Sequence, residues 1–420
     1  MIDLLVLLVS VGLTLAAAAL VASWRALRPR GDDGPEPEAL PAIVVVRPIR
    51  GLDPGLPVNL RAALEQRYPG EMETIFVLDD ARDPAYPLVR RAVEAHMERP
   101  ARPDPATRST SAHVVLAGPR SSGRTGKLHA MIEGLRAARA DAPLVAFADS
   151  DTRPPATLLA KLAHAVTRDP EVGAAFAPAV SVAPPSTAGD VGYGLLLDGL
   201  YGPQAAITMA QEGSLPFIMG QTMVLRRRAL EAAGGLRAST GQLVDDMHIG
   251  AGIARAGYRN VLVPNRLPIW SEGLSWRAFH SLALRWMIYG RTGVPMWPFN
   301  APTIAYLGAF HLAGLAAIAA QLSGAHASAA FFAAASLAVP AALGVVRRLQ
   351  GAAPVPWRLA WALPLTLALA PLAFLRAQLA RSVEWRGRRY RLSPDGRLQS
   401  RFDGGPTSVT SLSVPSLPPE

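Results

Sequence analysis

The sequence predicts an α/β domain, a largely parallel sheet covered by helices, held between membrane-spanning segments. Three observations predict it. From about residue 40 to residue 275, apolar runs of strand length alternate with helical stretches, which is the spacing of βαβ units. The first 22 residues and three stretches beyond residue 300 are apolar over bilayer-crossing lengths. Aspartates sit where predicted strands end, and ligands of parallel sheets bind beyond those ends.

The N-terminal run is broken only by Asp3 and small polar residues, and Arg25, Arg28 and Arg30 follow it. A secretory signal would carry positive charge before its apolar run. Residues 1–24 therefore read as a retained anchor whose C-terminal side faces the cytoplasm. The domain 40–275 comes next. Strands are expected over 43–46, 74–78, 113–116 and 144–148, and helices over 56–66, 84–97 and 127–138, with another starting near Pro154. Residues 100–111, rich in Pro, Arg, Thr and Ser, read as a surface insertion.

An amphipathic segment, 276–299, carries Trp276, Trp286 and Trp297, placed for a membrane interface. The stretches 303–322 and 327–346 form an apolar hairpin, and Arg347 and Arg348 after it suit a cytoplasmic loop. The third stretch, 357–379, contains Pro364 and Pro371. If it spans, Arg381, Arg386, Arg388, Arg389 and Arg391 leave on the outside, against the positive-inside rule. The region 303–379 is thus expected to be transmembrane, with its last part transmembrane, re-entrant or interfacial. From residue 380 the chain is basic, and beyond Ser393 its Ser, Pro and Gly content reads as disordered.

Composition narrows the function. There is no cysteine, which excludes disulfides, Cys-ligated zinc, iron–sulfur clusters and a cysteine nucleophile. Forty-two basic against thirty-two acidic residues leave a formal charge of +10. Such a surplus suits nucleic acid, anionic lipid or phosphorylated substrates. The apolar spans decide for the membrane, so no nucleic-acid partner is expected. An Ala-, Arg- and Pro-rich integral membrane protein of this kind fits a bacterial inner membrane, with its catalytic domain in the cytoplasm.

The chemistry centres on VAFADSDTRP at 145–154. Two carboxylates one residue apart repel each other, so a cation should lie close by. Asp151 could instead cap the helix near Pro154; a hard divalent cation that completes its shell with phosphate oxygens accounts for Asp149 and Asp151 together. The loop GPRSSGRTGK at 118–127 lacks the glycine and hydroxyl positions of a P-loop. With Arg120, Arg124 and Lys127 ahead of a helix, it reads either as a phosphate site or as a solvated basic loop. LVDDMHIG at 243–250 offers Asp245 and Asp246 as helix cap or general base, and His248 as a structural or metal-binding residue. Arg285 and Trp286 read as a diphosphate contact and an acceptor wall, or as part of an interfacial belt.

In this order the motifs resemble the inverting, metal-dependent glycosyltransferases of the GT-A fold, and within them the ceramide glucosyltransferases and hopanoid-associated relatives. The residues are RPIRGLD at 47–53, Leu78-Asp79, Asp149-Ser-Asp151, GQTMVLRR at 220–227, Asp245-Asp246, Arg285-Trp286 and WRGRRYRL at 385–392. The resemblance implies a UDP-sugar donor of the glucose type, Mg2+ or Mn2+, and a lipid acceptor. It implies that Asp79 contacts the uridine, that Asp149 belongs to the metal and donor site, that Asp246 is the general base with Asp245 in the preceding acidic position, and that Arg285 and Trp286 close the final motif. That motif usually opens with Gln or Arg; here the position is Leu282, which argues against a processive polysaccharide synthase. A processive or polyprenyl-phosphate transferase on the same scaffold, and a non-catalytic protein binding anionic lipids, are the competing expectations.

Overall fold

The computed structural model describes residues 2–27, 39–98, 109–291, 297–385 and 388–399. The first helix, α1 (Ile2–Leu27), is the apolar anchor. Strict alternation follows: β1 (Ile43–Pro48), α2 (Leu56–Leu64), β2 (Glu71–Leu78), α3 (Tyr86–Met97), β3 (Ser109–Leu116), α4 (Gly126–Ala137) and β4 (Leu144–Ala148). Next come α5 (Leu158–Thr167), β5 (Val172–Phe176), β6 (Ala179–Ser181) and α6 (Ala188–Gly194). The chain continues through a π-helical stretch, Leu195–Tyr201, into α7 (Gly202–Glu212), β7 (Thr222–Arg226) and α8 (Arg227–Ala232). Then follow α9 (Asp245–Arg255), β8 (Arg259–Leu262), β9 (Leu267–Ile269) and α10 (Trp276–Met287). The C-terminal part holds α11 (Trp297–Leu322), α12 (His326–Leu349), α13 (Ala362–Leu379) and a hairpin of β10 (Ser382–Trp385) and β11 (Arg388–Arg391).

Seven strands form the main sheet in the order β3-β2-β1-β4-β7-β5-β8. β1 pairs parallel with β2 and β4, whereas β7 runs antiparallel to both β4 and β5. The sheet is therefore mixed, and β7 is inserted between β4 and β5. Alternate residues of each strand face opposite layers. Val44, Val46, Val145 and Phe147 meet α4 and α9 on one face. Val45, Ala146 and Val224 meet α5 and the elements leading to the membrane on the other. Helix α4 lies so close to the sheet that a Cβ at Gly134 would stand 2.5 Å from Val46 Cγ1.

Four helices are long and apolar enough to cross a membrane among the described residues: α1, α11, α12 and the segment Trp357–Leu379. The protein is an integral membrane protein. Small residues let the helices approach, as lipid-facing bundles require: a Cβ at Gly12 would lie 3.3 Å from the Ala309 backbone, and Ser336 Oγ donates to Phe310 O at 2.9 Å.

The membrane hairpin is locked to the sheet domain by a buried ion pair. Arg347 at the end of α12 pairs with Asp198 of the π-helical stretch, and both side chains are almost wholly buried. Asp198 also accepts from Ser181 N at 2.9 Å, and Gln350 Nε2 donates to Asp198 O at 2.6 Å. Breaking one side of such a pair strands a buried charge. Arg347→Ala is expected to cost about 3–5 kcal/mol, read from unfolding in detergent. Arg347→Met combined with Asp198→Leu should recover most of that loss; equal stability of the single variant and the parent would show that the pair holds nothing.

Three local expectations change. The helix after β4 starts at Leu158, not near Pro154, because Pro154 and Pro155 precede a turn; Asp151 is not its cap. Ser109–Ser111 open β3 instead of ending a loop, since the register with β2 extends to Glu71↔Ser109; 99–108 lie outside the described residues. Ser393–Gln399 are folded where composition reads as disordered. A turn closed by Ser393 Oγ, which accepts from Arg397 N at 3.1 Å, sends the chain back so that Leu398 N donates to Gly241 O at 2.7 Å. Arg28, Arg30, Arg386 and 400–420 lie outside the described residues.

Candidate active site

Eight of the residues singled out from the sequence, Asp79, Lys127, Asp149, Asp151, Asp245, Asp246, Arg285 and Trp286, line one cavity of about 780 Å³. The cavity opens beyond the carboxyl ends of β1, β2 and β4, as expected for a parallel core. One half is charged. The other half is walled by Tyr193, Tyr201, Phe217 and Phe299 together with Trp286.

The carboxylate pair sits on a turn just past β4, so strand alternation does not set its geometry. A buried arginine does. Arg47 Nη2 at the end of β1 donates to Asp149 O at 2.7 Å and to Thr152 Oγ1 at 3.1 Å. Burial pushes its guanidinium down to about 10, against the pull of Asp149 and Asp151. Ser150 donates to Asp53, and Asn59 Nδ2 donates to Ser150 O at 3.0 Å, which ties the turn to the loop after β1. The motif at 47–53 thus braces the aspartates from behind.

The cation that the paired carboxylates require is Lys127. Its Nζ lies 2.6 Å from Asp149 Oδ1 and donates to Gly220 O at 3.2 Å. Burial opposes its charge, but Asp149, Asp245 and Asp246 outweigh that and raise its pKa above the ordinary lysine value. Burial raises Asp245 to about 6, with Lys127 holding it down and Asp246 and Asp149 pushing it further up. Burial raises Asp246 as well, again opposed by Lys127. Three carboxylates and one ammonium therefore form a single coupled unit.

Asp246 is the second residue of α9, and its Oδ2 accepts from Gly220 N at 2.8 Å. A Cβ at Gly220 would stand 2.7 Å from that oxygen, so only glycine admits this approach. Gly220→Ala is expected to displace the Asp246 carboxylate and lower turnover about 10-fold or more, with the melting temperature changed little; a turnover equal to the parent would mean that this position is not exacting. His248 falls outside the cavity lining and hydrogen-bonds Ser239 Oγ at 3.1 Å through Nδ1.

Two arginines that lie in the quoted motifs, but to which the sequence assigns no role, reach Asp79. Arg388 Nη2 from β11 lies 3.3 Å from Asp79 Oδ2, and Arg50 Nη1 lies 3.6 Å from the same oxygen. Both guanidinia stand over Gly126 at the N-terminus of α4: a Cβ there would lie 3.6 Å from Arg388 Nη1 and 3.8 Å from Arg50 Nη1. Arg388 belongs to the basic run that the sequence offers as topology charge and as the motif WRGRRYRL, with no role for this residue. The hairpin is further held by Arg120 Nη1, which donates to Tyr390 Oη at 3.0 Å. The Arg285 guanidinium lies 4.2 Å from the Trp385 ring centroid. Trp286 stands 5.9 Å from Tyr193 and 5.7 Å from Tyr201, centroid to centroid. Tyr201 continues the aromatic row to Phe299 at 5.9 Å, in the first turn of α11.

The residues present fit a divalent cation in part. Among the described residues no cluster of three or more metal-binding side chains forms. Asp149 and Asp151 line the same cavity, and Asp245 Oδ2 there is buried and accepts no hydrogen bond. Two carboxylates supplemented by substrate oxygens suit a hard cation that keeps an incomplete protein shell.

Against known proteins, the profile of glycosyl transferase family 21 matches residues 4–398. The chain belongs to this family. It is a glycosyltransferase. Over 66 residues it is 32% identical to a ceramide glucosyltransferase of Candida albicans, a match covering 16% of this chain and 12% of that protein. Its fold is similar to that of a mannosyltransferase from Pyrobaculum calidifontis, solved with GDP-Man and Mn2+. The TM-score is 0.51 and the identity 24%, over 88% of this chain and 99% of that one. The likeness fixes the architecture as GT-A, with apolar helices added at both ends of the sheet domain.

Proposed function

We propose that this family 21 glycosyltransferase moves a glucose-type sugar from UDP to the hydroxyl of a membrane lipid such as ceramide or a hopanoid, with inversion at the anomeric carbon. One observation carries the reading. A single cavity joins a carboxylate and arginine half to an aromatic half that ends at Phe299, on the first turn of a membrane helix. A nucleotide sugar suits the first half and a lipid headgroup the second.

In this reading Asp79, Arg50 and Arg388 frame the nucleoside end, and the N-terminus of α4 with Arg285 faces the diphosphate. Asp149 and Asp151 would hold Mg2+ or Mn2+, which when bound neutralises the leaving diphosphate. Asp246 takes the proton of the acceptor hydroxyl as its oxygen bonds to the anomeric carbon. The bond from that carbon to the diphosphate breaks on the opposite face. Burial serves Asp246 here, because a carboxylate with a raised pKa is a better base near neutral pH. Trp286, Tyr193 and Tyr201 exclude water from the sugar and seat the apolar acceptor. Leu282 lines the same cavity and offers no hydrogen bond to a growing glycan, in keeping with transfer of one sugar. Arg25 after α1, with Arg347 and Arg348 ending α12, supports reading the sheet domain as cytoplasmic, at a bacterial inner membrane.

The test is transfer by the purified protein in detergent, with labelled UDP-sugars against ceramide, hopanoid and diacylglycerol, with and without divalent metal. A single-sugar lipid formed only with metal and only with Asp149 intact is expected. A polymer or a polyprenyl-linked product would replace this reading.

A further inference from the structure

Among the described residues, four helices have the length and apolarity to span, yet the connections of α13 do not allow it to cross. We infer that α13 lies flat on the bilayer surface, wedged between the sheet domain and one leaflet. Only α1, α11 and α12 then traverse the membrane.

The chain before α13 is tied to the sheet domain, the end of α13 is tied to α10 and the turn after it, and the chain beyond returns to the sheet domain. Before it, Gln350 Nε2 donates to Asp198 O at 2.6 Å, Ala353 N donates to Ser181 O at 3.1 Å, and Arg266 Nη2 donates to Leu349 O at 2.9 Å. In its last turn Gln378 Nε2 donates to Met287 O of α10 at 3.2 Å, and just beyond it Arg291 Nη1 donates to Ala380 O at 2.7 Å. The chain then enters the β10–β11 hairpin, whose Arg388 reaches Asp79, and returns to Gly241 through Leu398. An 18-residue helix is about 27 Å long. That suffices for one crossing and leaves nothing for a return. Had α13 crossed, β11 would stand a hydrocarbon thickness of about 30 Å from the sheet domain instead of in contact with Asp79.

The faces of α13 identify its occupant. The inner stripe, Ala362, Leu363, Leu367, Ala373 and Ala377, is buried in the protein. The outer stripe is apolar and bare: Trp361 is 55% exposed, Leu372 57%, Leu375 58% and Leu379 79%. The polar face that a surface helix normally turns to water is replaced here by the sheet domain. Helix α13 packs beside the amphipathic α10, where Gln378 Nε2 reaches Met287 O. Its partner is therefore the headgroup–acyl boundary of the leaflet nearest the active site. The placement also keeps Arg381, Arg388, Arg389 and Arg391 on the same side as Arg347 and Arg348, which removes the conflict with the positive-inside rule.

The chain has no cysteine, so single-cysteine variants report cleanly. Pro354→Cys, Asp395→Cys and Ser323→Cys are labelled with a membrane-impermeant maleimide in sealed vesicles of both orientations. Positions 354 and 395 are expected to label from the same side, and 323, in the α11–α12 turn, from the other. Labelling of 354 and 395 from opposite sides would overturn the inference. A spin label at Leu375→Cys gives depth independently: about 5–10 Å below the headgroups is expected, and the bilayer centre would also overturn it. Neither readout depends on which sugar or lipid the enzyme uses.

Discussion

Asp246→Asn is expected to lower turnover by about 10²- to 10⁴-fold while affinity for the nucleotide stays within a few-fold of the parent. The geometry separates the two functions. Asp246 lies at the start of α9 and its carboxylate is oriented by Gly220 N at 2.8 Å, whereas Asp79, Arg50 and Arg388 stand at the ends of β1 and β2 and on the hairpin. An amide keeps the shape and the hydrogen-bonding oxygen but cannot take a proton near neutral pH. The proton is lost from an alcohol only as the new bond forms, so the defect should appear in the chemical step. Calorimetry with UDP beside single-turnover transfer distinguishes the cases. If both fall together, Asp246 belongs to the donor site and the base lies elsewhere. Asp245→Asn is the control. It leaves the Asp246 carboxylate in place, so turnover should fall far less than in Asp246→Asn.

Much of this arrangement is legible in the chain because its first half is punctuated plainly. Through β4, each strand is a short apolar run ended by charge, Gly or Pro, and each helix shows its own period, so the order of elements up to Ala148 follows from pattern. The aspartates at 79, 149 and 246 are legible for the same reason: carboxylates at the tips of apolar segments have few uses besides binding. What stayed hidden depends on contacts distant in sequence. Thr222–Arg226 stands in the sequence only as part of a motif, and nothing local says that it inserts antiparallel between β4 and β5. The bracing role of Arg47 has no local signal, because its three acceptors lie more than 100 residues away. Arg388 meets Asp79 across 309 residues. Composition measures how apolar 357–379 is; only the ties at its two ends tell whether it crosses.

Lys127→Met is expected to destabilise the metal-free protein at neutral pH by about 3–5 kcal/mol, since it strips the counter-charge from buried carboxylates. The pH dependence fixes the cause. Burial raises Asp245 to about 6 in the folded state, from an ordinary value of 3.8. Between those values the folded protein binds more protons than the unfolded chain, so this group makes stability fall as pH rises through the window. Lys127 holds the Asp245 pKa down. Without it the folded value climbs, the window stretches upward, and the variant should lose stability over a pH range where the parent is flat. Lowering the pH towards 5 should then return much of the difference. A divalent cation should do the same at neutral pH, because it replaces the missing positive charge beside Asp149. The melting temperature of Lys127→Met should therefore rise with Mg2+ or Mn2+ by more than that of the parent. A variant as stable as the parent at pH 8, or one rescued by acid but indifferent to metal, would show that Lys127 is not the internal counter-ion of a cation site. The ammonium and the metal would then be unrelated features of the same cavity.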